Sequence, residues 1–266
     1  METYTFSFPN TARAYGISPE IVNPVIDSLI ADAPEKYRLK LIVSELVMNA
    51  YIHGNKGDPN KTIDVAMQVD DEQFVVMVKD QGEGLKEEKF HEIVMSASGE
   101  SDESGRGMKI VQRLSDRVQL YKDKDDKFCI RVTRRINSSP ADINPDAGRN
   151  SSLEAAMSIT QEMNGDVNIL SLQGRLDLTS AAELKDASRY IIDKENCKLI
   201  LNMEAVEFIN SSGLGALVSI LKDVRNSKGT LKLSNLAPHV KEIFDITQLS
   251  NIFDICENEQ TAKSSF

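Results

Sequence analysis

Hydrophobic and polar positions alternate with a period of two at the start of the chain. Tyr4, Phe6 and Phe8 interleave with polar residues, which predicts a strand over residues 1–10. The period then lengthens. Leu39, Ile42, Val43, Leu46 and Ala50 share one face at helical spacing, predicting a helix over residues 33–52. Alternation returns at Ile63, Val65, Met67 and Val69, predicting strands over 61–69 and 73–79. Helices are predicted over 87–95 and 108–114. Strands follow over 117–122 and 127–135, turned by the charged run Asp123-Lys124-Asp125-Asp126. Hairpin-linked strands beside helices predict an α+β sandwich with helices on one face of a mixed sheet.

The pattern breaks at residues 137–152, which read NSSPADINPDAGRNSS. No hydrophobic period survives there, and Ser, Asn, Pro, Asp and Gly dominate, as in a flexible linker. Beyond it strands and helices alternate. Strands are predicted at 157–161, 167–173, 199–202, 230–233 and 252–255, and helices at 181–193, 213–226 and 238–247. That order predicts a mostly parallel sheet faced by helices. The expected organisation is therefore two domains, 1–136 and 153–266, joined by a linker over 137–152.

Composition narrows the classes. The chain has 266 residues, 41% of them apolar, enough for two packed cores. No apolar run reaches the roughly 18 residues of a membrane span, and the N-terminus lacks the pattern of a signal peptide, so a cytoplasmic location is expected. The formal net charge of −10 argues against direct binding of nucleic acid. Cys129, Cys197 and Cys256 lie far apart without a C-x-x-C pair, which speaks for reduced, buried thiols rather than disulfides or zinc.

Three fragments of the first half carry chemistry. Glu45 and Asn49, one turn apart, share a helix face among apolar neighbours. An amide oxygen there suits Mg²⁺ and a carboxylate suits proton acceptance from a hydroxyl; an ordinary polar strip on an amphipathic helix has the same spacing. Asp80 ends an apolar strand and is followed by Gln81-Gly82-Glu83-Gly84. A carboxylate at that place can accept from an exocyclic amine, and the same residues also make a simple polar turn. Gly105-Arg106-Gly107 precedes a helix, where unpaired N–H groups meet phosphate oxygens. The small, polar stretch 96–104 before it has the composition of a mobile lid.

In the second half, Asn210-Ser211-Ser212-Gly213-Leu214-Gly215 follows a buried strand and opens a helix. Ser211 is placed either to cap that helix or to be modified at its N-terminus, where the dipole tolerates a phosphate.

The ordered set E-x-x-x-N, D-x-G-x-G, lid, G-x-G resembles the GHKL ATPase superfamily, and within it the anti-sigma-factor serine kinases. The stretch SELVMNAYIHG, Ser44 to Gly54, carries the resemblance most closely. No phosphoacceptor histidine on a helical hairpin is found, so a sensor histidine kinase fits less well. The resemblance implies a protein serine kinase using ATP and Mg²⁺, with Glu45 as general base and Asn49 as Mg²⁺ ligand. It further implies Asp80 as adenine reader, Gly82 and Gly84 around the base, and Gly105, Arg106 and Gly107 on the phosphates. His53 would be structural or near the phosphates. The family often carries a basic residue on its first helix, yet Glu20 to Asp27 hold no Arg or Lys.

Gly174-Arg175-Leu176-Asp177 before a helix, then a strand, then N-S-S-G-L-G, resembles the STAS domain of anti-anti-sigma factors. That resemblance makes Ser211 the phosphoacceptor, although Asn210 stands where the family has Asp. The fold expected is thus an α+β GHKL-type ATPase sandwich followed by an α/β STAS domain. The expected function is a partner-switching regulator that binds a sigma factor and phosphorylates a STAS-type antagonist. Its own STAS domain, in cis or in trans, is one such target. A homodimer through the kinase-like domain is also expected. A linker of this length spans roughly 20–25 Å, which allows contact in cis at about millimolar effective concentration. The alternative is a non-catalytic, nucleotide-gated interaction switch.

Overall fold

The computed structural model describes residues 2–96, 105–136, 157–192 and 196–266. All of the expected lid over 96–104 except Ser96, and the linker over 137–152, lie outside the described residues. The described chain falls into two compact units, one on each side of residues 137–156.

In the N-terminal unit, β1 (Glu2–Pro9) leads into α1 (Ala12–Leu29) and α2 (Ala33–Asn49). Thr11 caps α1 by accepting from the Ala14 N–H at 3.1 Å. Asp32 caps α2 by accepting from the Glu35 N–H at 2.9 Å, with Pro34 in the first turn. Then follow β2 (Thr62–Val69), β3 (Gln73–Asp80), α3 (Glu87–Met95), α4 (Arg106–Arg113), β4 (Arg117–Lys122) and β5 (Phe128–Arg135). The strands lie in the order β1-β2-β3-β5-β4.

Every pairing in this sheet is antiparallel, so the expected mixed sheet is corrected. Single turns join β2 to β3 and β4 to β5. The helical excursion α3–α4 returns the chain on the far side of β5 rather than in parallel with β3. The predicted alternation places Ile63, Val65 and Met67 in the core with Phe74, Val76 and Val78. The helical stripe Leu39, Ile42, Val43, Leu46 and Ala50 is buried as well. So are Leu41, Val47 and Met48, because α1 and α4 also pack on α2. The first helix starts well before Glu20 and holds Arg13, exposed near its N-terminus, so it is not devoid of basic residues.

In the C-terminal unit, β6 (Ser158–Asn164) and β7 (Val167–Leu176) form a hairpin turned by Gly165 at φ 63. They are followed by α5 (Ala181–Ile192), β8 (Lys198–Ile209), α6 (Ser211–Asn226), β9 (Thr230–Ser234), α7 (Pro238–Ile246), β10 (Asp254–Cys256) and α8 (Glu259–Ser264). The order is β10-β9-β8-β7-β6, with β7 to β10 parallel and β6 antiparallel, as the alternation of elements predicts.

One strand is far longer than expected. β8 pairs with β9 only over Lys198–Asn202, yet continues beside β7 as far as Ile209, with register shifts on the way. That extension carries the chain directly to Asn210. All three cysteines are buried thiols. Among the described residues, no helix is long and apolar enough to cross a membrane, and no group of His, Cys, Asp and Glu is arranged to hold a metal ion.

Candidate functional site

The three fragments of the first half converge on the end of α2. The α-helix stops at Asn49, three residues short of the expected end, and a π-helical turn over Ala50–Gly54 follows. Such turns are rare and recur at functional sites. This one brings Gly54 against Asp80, where a β-carbon would stand 2.4 Å from the carboxyl carbon. His53 is exposed in the same turn. Asn49 reaches the helix that follows the third fragment, since its side-chain N–H donates to the Met108 sulfur at 3.1 Å. Glu45, one turn back, is 0% exposed.

Asp80 ends β3 and is 4% exposed. Its carboxylate accepts from the Gly82 N–H at 2.8 Å. Burial pushes its pKa up, and the Gly82 N–H and the positive charge of Lys61 oppose that rise. Gly82 allows this close turn: a β-carbon there would meet the Gly54 carbonyl oxygen at 2.2 Å. Gly84, at φ 86, lies against the Phe128 ring, which a β-carbon would enter at 2.4 Å. Glycine is therefore required at 82 and 84 by contact, whereas a β-carbon at 54 would push the Asp80 carboxylate aside.

Asn55 and Gln81 brace this arrangement, and neither is marked by the motif spacing. Asn55, 0% exposed, accepts from the Gln81 N–H at 2.8 Å and donates to the Thr62 carbonyl at 2.9 Å. Gln81 in turn accepts from the Thr62 N–H at 2.9 Å. The three residues tie the π turn, the Asp80 loop and the start of β2 together. The sole sequence signal for Asn55 is its place beside Gly54, at the end of the helix motif.

Gly105 adopts φ 102, a left-handed value, and serves as the N-cap of α4. The helix starts at Arg106, two residues earlier than expected, so Arg106 and Gly107 occupy its first turn. Arg106 and Lys109 are buried.

In the C-terminal unit, Asn210 takes the capping role. Its side-chain oxygen accepts from the N–H groups of Ser212 at 3.1 Å and Gly213 at 3.2 Å. Ser211 is the first residue of the helix and 8% exposed. An amide oxygen thus performs the hydrogen bonding that a carboxylate would, without the charge. The Asn210 N–H donates to the Leu176 carbonyl at 3.3 Å. This joins the N-S-S-G turn to the G-R-L-D strand end.

The same strand end holds a polar knot. The Arg175 guanidinium lies 3.9 Å over the Phe208 ring and 3.4 Å from Asp177. Asp177 also accepts from the Thr179 N–H and hydroxyl, at 2.9 and 2.7 Å. The Ser180 hydroxyl donates to the Arg175 carbonyl at 2.8 Å. Arg175 and Phe208 are register partners on β7 and β8, a neighbourhood invisible from their separation in sequence.

Comparison with known proteins matches both units. The family model of the histidine kinase-like ATPase domain covers residues 8–134, and that of the STAS domain covers residues 158–262. An anti-sigma F factor of Clostridium perfringens is 27% identical over 124 residues, 46% of this chain and 89% of that protein. BtrV of Bordetella bronchiseptica, a candidate anti-sigma factor antagonist, is 28% identical over 110 residues, 41% of this chain and 95% of that protein. Among solved structures, an anti-sigma factor antagonist from Mycobacterium paratuberculosis aligns at 21% identity and a TM-score of 0.39, over 41% of this chain and 93% of that one. The polypeptide carries a histidine kinase-like ATPase domain followed by a STAS domain.

Proposed function

We propose that the protein is a partner-switching regulator whose N-terminal unit binds ATP with Mg²⁺ and phosphorylates a serine on a STAS domain. The observation that carries this reading is that the end of α2 and its π-helical turn meet Asp80 through Gly54 and the first turn of α4 through Asn49 and Met108. The residues fit a nucleotide. Asp80 is a buried acceptor at a strand end, followed by a glycine-rich turn. The N-terminus of α4 offers backbone donors to an anion. Asn49 supplies one oxygen, which suits an ion that keeps most of its waters and takes its other ligands from phosphate. When bound, the nucleotide supplies the transferable phosphoryl group and the metal offsets its charge.

The chain's own residues would divide the work. Asp80 accepts a hydrogen bond from the adenine amine, while Gly82 and Gly84 shape the base pocket. Gly105, Arg106 and Gly107 hold phosphate, and Asn49 turns its oxygen to the metal. Glu45 takes the proton of the attacking serine hydroxyl. Ser211 is the acceptor on the STAS side. Its phosphate would sit at the N-terminus of α6, where the dipole favours negative charge, and would alter the charge of a docking surface. The relatives named anti-sigma F factor and anti-sigma factor antagonist support a sigma factor and a STAS protein as the partner classes. Whether the STAS substrate is in cis or in trans, dimerisation through the N-terminal unit and a cytoplasmic setting belong to the same proposal. So do the domain limits 1–136 and 153–266.

A second reading is favoured by burial. Glu45 at 0% and Ser211 at 8% exposure must both be uncovered before transfer. A nucleotide-gated interaction switch without transfer needs neither. Mass spectrometry after incubation with ATP and Mg²⁺ separates the two, using wild type, Glu45→Gln and Ser211→Ala with and without added STAS proteins. Phosphate on Ser211 or on an added STAS serine, lost in Glu45→Gln, is expected. No phosphate on any serine, with ATP still bound, refutes the kinase and leaves the switch.

A further inference from the structure

We propose that Met108 is a positioning residue for Asn49, one that sets which end of the amide faces the metal, an assignment that rests on the nucleotide reading above. The side-chain nitrogen of Asn49 donates to the Met108 sulfur at 3.1 Å across 59 residues of sequence. A thioether has lone pairs and no proton, so it accepts and never donates. Of the two ends of a planar amide, only the N–H₂ end gains from facing it. The sulfur therefore selects one flip of Asn49 and turns the oxygen the other way. Burial agrees with that polarity: Met108 is 5% exposed, whereas Asn49 is partly exposed. The covered sulfur takes the nitrogen, and the oxygen is left for the open side, where a hard cation requires it.

Position 108 also explains why the arrangement reports on the phosphate turn. Met108 follows Gly107 directly, in the first turn of α4. The path of that turn is set by Gly105 at φ 102, where a β-carbon would meet the Ile93 side chain at 2.9 Å. A shift of the turn around an anion moves the sulfur, and the sulfur holds the amide. Leucine would fill the same volume but leave the Asn49 N–H₂ without this acceptor, and the amide could then flip.

Calorimetric titration of the full chain with ATP, in Mg²⁺ and separately in EDTA, tests this. The quantity read is the ratio of the two affinities for wild type, Met108→Leu, Met108→Gln and Asn49→Ala. Met108→Leu is expected to lower the ratio about five-fold, the worth of one neutral hydrogen bond. Met108→Gln, which keeps an acceptor at similar reach, is expected to recover part of it. In nucleotide-free protein, the side-chain amide resonance that disappears in Asn49→Ala should shift in Met108→Leu. A purely structural role would weaken binding alike in both buffers. A ratio at the wild-type value in Met108→Leu overturns the proposal. Wild type that binds no ATP in either buffer overturns the nucleotide reading itself, and this assignment with it.

Discussion

Gly213 packs against Leu176 so closely that a β-carbon on it would stand 2.2 Å from the Leu176 carbonyl oxygen. The same carbonyl accepts from the Asn210 N–H. The start of α6, with the candidate acceptor serine, is thus fixed to the end of β7 through backbone, which cannot move aside as a side chain could. Gly213→Ala should destabilise the C-terminal unit by about 1–3 kcal/mol, the usual cost of overpacking, despite the better helix propensity of alanine. Urea denaturation followed by circular dichroism measures it. A variant as stable as wild type would show that the two elements part easily.

Asn210 caps α6 through an uncharged oxygen. Asn210→Ala removes the acceptor for two N–H groups and should cost about 1 kcal/mol. Asn210→Asp keeps the bonds and adds a charge at the positive end of the helix, which should stabilise by about 0.3–1 kcal/mol. The order Asp above Asn above Ala, read from unfolding midpoints, is the expected outcome. If Asn210→Asp also changes the rate at which Ser211 gains phosphate, the charge beside the acceptor governs docking as well as folding.

Burial raises the pKa of Asp80 above its ordinary value of 3.8. A carboxyl shifted in that direction contributes stability below its ordinary pKa and loses it as the pH rises through the folded value. At neutral pH the ionised group is therefore a cost. Asp80→Asn should raise the stability of the nucleotide-free N-terminal unit at pH 7, because it removes a buried charge that burial disfavours. The gain should vanish at low pH. The same variant presents an N–H₂ where the proposed base contact requires an acceptor, so ATP affinity should fall. Thermal unfolding across pH, with and without ATP, reads both effects.

Gly54 tests the site without disturbing its fold. Its backbone lies outside the left-handed region, so alanine is tolerated locally, yet the new β-carbon would meet the Asp80 carboxylate at 2.4–2.7 Å. The carboxylate must move. Gly54→Ala should lower ATP affinity about ten-fold or more, as expected for the loss of one charge-assisted bond, with a circular dichroism spectrum like that of wild type. Unchanged affinity would remove Asp80 from the site.

Local pattern alone determined much of this protein. α3 over Glu87–Met95 and β4 over Arg117–Lys122 fall where periodicity places them, because side-chain spacing and backbone period are coupled within a few residues. The motif residues Glu45, Asn49, Asp80 and Ser211 could be listed from sequence, since each lies on an element with a clear period. Their neighbours could not. The contacts of Gly54 with Asp80, Asn49 with Met108, and Gly213 with Leu176 join residues from separate elements. The all-antiparallel first sheet and the long reach of β8 depend likewise on pairing between distant segments.

The chain by itself therefore determined which groups are available and on which kind of element each sits. Only the tertiary structure decided which of them meet and which are buried. The physical reason is range. Helical and strand periods arise within a turn or a pleat, whereas close contact is set by how sheets and helices pack, and packing has no local signature in the order of residues.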